Sequence, residues 1–214
     1  MIIKKIRRNN ISKFICIDDN EYPEILRKIK NPPNKLFYKG NINLLNEQGI
    51  SIVGTRHVTE YGKKMTRKFS KEIASRDIVV ISGMALGVDS VAHKETLNIG
   101  GKTIAVLGSG FNHIYPKENE ILFNQIIDGK GLVITEFEDD VKPESINFPK
   151  RNRIIVGLSE GVLVIEAGYR SGTSITANLA WKEGRNVYAI PGCLDNKYGV
   201  GVNKIIKKGA KLVT

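Results

Sequence analysis

The sequence predicts an α/β protein: a doubly wound, mostly parallel sheet with a small N-terminal helical cap. Three observations carry that expectation. After residue 49, short runs rich in β-branched residues alternate with longer segments of helical period, the pattern that right-handed βαβ crossovers produce. The runs are continuously apolar, as in strands buried on both faces. The turns after their carboxyl ends are rich in glycine, which lets a backbone pass close to a neighbouring element or an anion.

In chain order, residues 1–45 read as an extension that caps the main domain, being too short to hold a core of their own. They contain a short helix over 22–29, stopped by Asn31-Pro32-Pro33-Asn34 because proline lacks the N–H that a helix interior needs. Residues 46–214 form the main domain. Strands are expected at 50–53, 78–82, 103–107, 132–135, 162–165 and 187–190. Between them, helix 61–75 sets Met65, Phe69 and Ile73 at i, i+4 and i+8, with Lys63, Lys64, Lys68 and Lys71 mainly on other faces. Helix 88–97 follows Gly87, helix 119–127 follows Pro116, and helix 173–182 follows Gly172. No internal repeat or low-complexity tract interrupts this order.

Composition narrows the function classes. The 214 residues are 41% hydrophobic and 26% charged, an ordinary globular balance. No apolar run approaches the ~20 residues of a membrane span. Met1-Ile2-Ile3-Lys4-Lys5-Ile6-Arg7-Arg8 breaks into charge too soon for a signal-peptide core. Cys16 and Cys193 stand far apart and suit neither a disulfide framework nor a zinc cluster. A cytoplasmic protein is expected. Lys and Arg number 33 against 22 Asp and Glu, a net charge of +11. That excess fits a polyanionic partner and fits equally the lysine-rich surfaces that AT-rich genomes encode.

Several familiar chemistries fail on spacing. Gly101-Lys102-Thr103 ends like a phosphate-binding loop, but Thr96 stands where its first glycine belongs and a strand, not a helix, follows. Gly108-Ser109-Gly110 lacks the third glycine of a dinucleotide fingerprint, since His113 occupies it. Gly157-Leu158-Ser159-Glu160-Gly161 matches a nucleophile elbow in letters but leads into a strand, whereas an elbow follows one. His57, His93 and His113 show no metal-ligand spacing. Asp89 reads as a charge favouring a helix N-terminus. Glu136 and Glu166, each just past a strand, read as acid–base groups or as anchors for adjoining loops. No metal or cofactor is called for.

What remains points to phosphate. In parallel sheets ligands bind beyond the strands' carboxyl ends, where strand order reverses. Four glycine-rich turns lie on that rim: Gly54-Thr55-Arg56, the turn containing Gly83, Gly108-Ser109-Gly110, and the one ending Ser171-Gly172-Thr173. In Phe148-Pro149-Lys150-Arg151-Asn152-Arg153, three cations crowd into four positions after an aromatic residue. A helix beginning near Arg151 would set them against its own dipole, a frustration that an arriving anion relieves. Phe148 would offer a stacking face worth roughly 1–3 kcal/mol per base. The competing expectation is that Phe148 is core and that the arginines pair with Glu136 or Glu166.

These segments, together with Ser82-Gly83-Met84-Ala85-Leu86-Gly87-Val88-Asp89, Tyr115-Pro116, Glu166-Ala167 and Gly201-Val202-Asn203-Lys204, stand in the order of a known family. From about Tyr22 to its end the chain resembles the DprA/Smf DNA-processing proteins. The resemblance implies an extended Rossmann-like fold that binds single-stranded DNA without sequence preference, protects incoming DNA and helps load a RecA-type recombinase during natural transformation. It implies a positive pocket formed by Gly54, Thr55, Arg56, Phe148, Lys150, Arg151 and Arg153, and a homodimer. Many members carry an N-terminal helical domain and a C-terminal winged helix, neither of which is expected here. A rival expectation is an enzyme similar to the lysine-decarboxylase-like phosphoribohydrolases, with a nucleoside monophosphate on Ser171-Gly172-Thr173 beside Glu166 or Glu136. Those enzymes carry a proline-glycine-glycine run where this chain has Ala167-Gly168-Tyr169-Arg170-Ser171. A third is a nucleotide-sensing module. The nucleic-acid reading requires Arg56, Lys150 and their neighbours to share one open face, free of internal carboxylates.

Overall fold

The structure, a computed structural model, describes residues 12–169 and 171–214. The charged start of the chain, read above as unsuited to a signal peptide, and Arg170 lie outside the described residues. The central elements follow the expected alternation: β3 (Gly49–Val53), α2 (Glu60–Ala74), β4 (Val79–Ser82), α3 (Val88–Asn98), β5 (Thr103–Val106), α4 (Glu120–Asp128) and β6 (Leu132–Thr135). Then come α5 (Asn147–Gly157), β7 (Gly161–Val164), α6 (Gly172–Lys182), β8 (Asn186–Ala189), α7 (Lys197–Lys207) and β9 (Lys211–Leu212). Ahead of them lie β1 (Phe14–Cys16), α1 (Glu24–Arg27) and β2 (Lys35–Gly40).

The described strands form one sheet in the order β1-β2-β6-β5-β4-β3-β7-β8-β9. From β6 to β9 every pairing is parallel. The chain winds outward from β3 through β4, β5 and β6 on one side, then returns to β7 and winds outward the other way. The order therefore reverses between β3 and β7, which pair directly from Ile50↔Gly161 to Val53↔Val164. Strands β4, β5, β6 and β7 are buried at every position, as both-face helix cover demands.

The N-terminal segment departs from the expected helical cap. Its helix is a single turn, and its main contribution is two antiparallel strands that extend the sheet. Leu36 and Phe37 explain why. They point to opposite faces of β2 and both are buried, Leu36 with Leu132 and Ile134, Phe37 with Val133 and Leu107. Burial on both faces requires β2 to lie within the sheet, and it satisfies the otherwise open edge of β6. Tyr22, Leu26 and Ile29 do pack over the main domain, against the cluster that holds Ile154, Ile155 and Leu158 of α5 and its end.

Two further departures bear on the site. Helix α5 begins at Asn147, four residues before Arg151. Pro149 falls in its first turn, where the missing N–H would have had no intrahelical partner. Helix α7 has no counterpart among the expected elements, because Gly199 and Gly201 lower its propensity. Packing accounts for both glycines: a Cβ on Gly201 would sit 2.1 Å from the Ala167 carbonyl oxygen. That close approach, with Ala167 N–H donating to the Tyr198 carbonyl at 3.0 Å, seats α7 beneath the turn that follows β7.

Candidate functional site

A cleft of about 640 Å³ opens where β3 and β7 end side by side. Gly54-Thr55-Arg56 forms one wall, Ser171-Gly172-Thr173 at the start of α6 another, and Phe148, Arg151, Asn152 and Ile155 of α5 a third, with Tyr115 at the rim. It occupies the reversal point at the strands' carboxyl ends, the position that the parallel topology dictates for a ligand.

The turn after β3 is held by Glu166, which follows β7. Thr55 N–H donates to the Glu166 carbonyl at 2.9 Å. The Glu166 carboxylate accepts from the Thr59 hydroxyl at 2.5 Å and from Thr59 N–H at 3.0 Å. Thr59 in turn caps α2, accepting from Gly62 N–H at 3.1 Å. Glu166 is thus an anchor, and both ends of 55–59 hang from it. Gly54 permits the turn to approach α3, since a Cβ there would meet Val88 Cγ2 at 2.4 Å. Arg56, between the two anchor points, is exposed. Its guanidinium carbon lies 5.5 Å from the centre of the Phe148 ring, and among the described residues no carboxylate pairs with it.

Phe148 is half-buried. Its ring rests on Gly108, where a Cβ would approach Cδ1 to 2.9 Å, and is tilted 45° to the exposed Tyr115 ring at 5.5 Å. The cleft mouth thus presents a guanidinium and two aromatic rings together.

The remaining cations are disposed differently from the open ring expected of them. Arg153 is fully engaged: its two terminal nitrogens donate to the two Glu136 oxygens, each at 2.7 Å. Lys150 is exposed but its Nζ lies 3.4 Å from the same carboxylate and 5.2 Å from the centre of the Phe137 ring. Arg151 is only 4% exposed. It reaches under the cleft and donates to the carbonyls of Gly83, at 2.6 Å, and Val106. Burial pushes it down to about 10, against the pull of the neighbouring Asp89. Asp89 stands in the first turn of α3, as expected of a charge that favours the helix dipole. It is buried and accepts from Gly83 N–H at 3.2 Å and Ala85 N–H at 3.3 Å, and burial raises its carboxyl above the usual range. The early start of α5 explains the pattern. Arg151 and Arg153 fall past the helix's first turn, and carbonyls and Glu136 relieve the frustration expected of them without an anion.

All four turns follow parallel neighbouring strands and so share the rim expected of them, but they do not all line the cleft. Gly54-Thr55-Arg56 and Ser171-Gly172-Thr173 line the cleft; Gly83, Gly108, Ser109 and Gly110 do not. Gly83 is closed in by Arg151 and Asp89. Gly110 N–H donates to the Val141 carbonyl at 2.8 Å, and the Ser109 hydroxyl to the His113 carbonyl at 2.7 Å. Tyr115, His57 and Asn152 join the lining without having been singled out as site residues. Tyr115 carried no local signal beyond its place beside Pro116, since only the sheet order sets it against Phe148. Among the described residues no cluster of His, Cys, Asp and Glu could hold a metal ion. No described helix is long and apolar enough to cross a membrane.

Sheet order and cleft together define a Rossmann-like protein with a cationic, aromatic-edged cleft at its reversal point. Residues 13–214 match the model of the family described as DNA recombination-mediator protein A. The chain belongs to that family. It is 42% identical over 201 residues to Protein Smf of Escherichia coli, covering 94% of this chain and 54% of that one, so it spans about half the length of that relative. The X-ray structure of DNA processing protein A from Streptococcus pneumoniae superposes with a TM-score of 0.91 at 42% identity, covering 95% of this chain and 71% of that one. DNA processing protein A from Helicobacter pylori, whose structure concerns a single-stranded DNA binding mode, superposes with a TM-score of 0.83 at 31% identity, covering 94% and 91%.

Proposed function

We propose that this chain is a cytoplasmic, non-catalytic binder of single-stranded DNA that holds the strand without sequence preference in the β3/β7 cleft. In the same reading it protects incoming DNA, acts as a homodimer and helps a RecA-type recombinase load during transformation and recombination. One observation carries the reading: Arg56, exposed at the cleft and without a carboxylate partner among the described residues, stands against the Phe148 ring, which also meets Tyr115. A phosphate on Arg56 and a base face on the aromatic pair use both features, and neither reads a base edge. Lys150, in the same first turn of α5 as Phe148 but outside the cleft lining, supplies a further cation that it shares with Glu136. The family membership and the single-stranded DNA binding of the Helicobacter pylori relative support it.

The phosphoribohydrolase alternative needs a carboxylate free to face a ribose. Glu166 is committed to Thr59 and Glu136 to Arg153, which weighs against it. Incubation with AMP is expected to release no adenine; turnover would overturn the non-catalytic assignment.

The deciding experiment is a salt titration of binding to single- and double-stranded DNA of equal length. Tighter binding to the single strand is expected, with log K falling against log salt by roughly 0.7 per phosphate neutralised. Arg56→Ala should weaken every oligonucleotide sequence about equally. Equal and weak binding of both forms, insensitive to Arg56→Ala, would refute the reading.

A further inference from the structure

Arg56 borders two depressions. On one side is the cleft; on the other a groove of about 390 Å³ runs along the N-terminal halves of α2 and α3. The lining of the second groove includes Arg56, Lys63, Leu86, Lys94 and Glu118. Three cations there face one carboxylate. Lys63 is shared with Glu60, whose Oε1 lies 2.7 Å from its Nζ. Lys94 is exposed on α3, and among the described residues it has no ion-pair partner. Among the described residues no Phe, Tyr or Trp lines the groove; its one ring is His57, which the cleft shares, and its apolar contribution includes Leu86, 41% exposed. A site of that make-up attracts phosphate charge and, beyond the His57 ring at its border with the cleft, offers no face on which a base can stack.

We propose that a bound single strand passes from the cleft over Arg56 and lays its next phosphodiesters in this second groove, with Lys94 as the principal contact. The proposal rests on the single-stranded DNA reading and adds a path to it. The cleft holds bases and phosphate; the groove holds backbone alone. Strands too short to reach past Arg56 make only the first set of contacts, and Glu118 opposes the second set.

The test is a ladder of oligothymidylates from about 4 to about 16 nucleotides, the span that single-strand sites cover, bound to the intact chain and to variants on exposed positions. Lys94→Ala is expected to leave the shortest strands unaffected, to weaken the longest several-fold, and to reduce their salt slope by about 0.7. Lys94→Arg should restore both. Glu118→Gln should tighten only the longer strands, an opposite sign that a mere loss of folding would not produce. Unchanged binding of the longest strands by Lys94→Ala, with Arg56→Ala still weakening all lengths, would overturn the groove and leave the cleft standing. Equal weakening at every length by Lys94→Ala would also overturn it. Loss of any Arg56→Ala effect would remove the cleft reading and the groove with it.

Discussion

Arg151 and Arg56 are two residues of the same charge with opposite duties. Arg56 meets solvent and an aromatic face, whereas Arg151 is buried and spans the carbonyls of Gly83 and Val106 beside Asp89. Removing a partner from a buried ionic group costs about 3–5 kcal/mol, because the group left behind stays unsolvated. Arg151→Met should therefore lower stability on that scale, read as a shift in the denaturant midpoint. Arg56→Ala should leave the midpoint within about 0.5 kcal/mol, as an exposed substitution does, while weakening DNA binding. The sequence could not divide these duties. Arg151 and Arg153, two positions apart, look alike on paper, and only the start of α5 decides which one turns under the sheet. The pairing of an arginine with Glu136 or Glu166 was legible, since Glu136 stands just past β6 and the cations follow it in the next helix.

At the scale of elements, α5 is placed by what its first turn rests on. The Phe148 ring lies on Gly108 at the end of β5, with no room between them for a methyl group. Gly108→Ala should lift the ring away from Tyr115 and Arg56. Phe148→Ala is expected to cost about 1–3 kcal/mol of binding, independent of base identity. Because both changes act on one ring, the double variant should lose scarcely more than Phe148→Ala alone, and a binding cycle over the four proteins measures that coupling. Full additivity would mean that the two residues act separately. The six inner strands were legible to within a residue or two at each end because burial on both faces writes an unbroken apolar run. Strands β1, β2 and β9 were not. They lie toward the sheet's margins, and β2 mixes Lys35, Tyr38 and Lys39 with its two core residues. Helix α7 was hidden for another reason: Gly201 answers to the Ala167 backbone, a contact between distant parts of the chain, and Gly199 to the Cys193 backbone.

For the molecule as a whole, acid sensitivity has an identifiable source in His93. It is wholly buried, with Nδ1 2.7 Å from the Thr103 hydroxyl, and burial pushes its pKa from 6.5 down to about 3. Between those values the unfolded chain binds the proton that the folded one refuses. His93 therefore opposes folding increasingly as pH falls from 6.5 toward 3, by about 1.4 kcal/mol per pH unit once below the unfolded value. Above 6.5 the contribution is flat. Equilibrium unfolding across this range should show that slope, and His93→Gln should flatten it even if the variant starts less stable. An unchanged slope in His93→Gln would assign the acid sensitivity to other groups. Asp89 works in the other direction, because its raised pKa lets the folded chain take up a proton more readily.

The antiparallel pairing of β2 with β6 has a consequence for assembly. Without Lys35–Gly40, the backbone of Leu132–Thr135 would stand as an unsealed seam, flat, apolar and ready to recruit any extended peptide that drifted by. Strands β1 and β2 thus act as a selvedge: they stop the fabric of the sheet from being continued by a stranger at β6, while among the described residues the opposite end of the strand order, beyond β8, is finished by the two-residue β9.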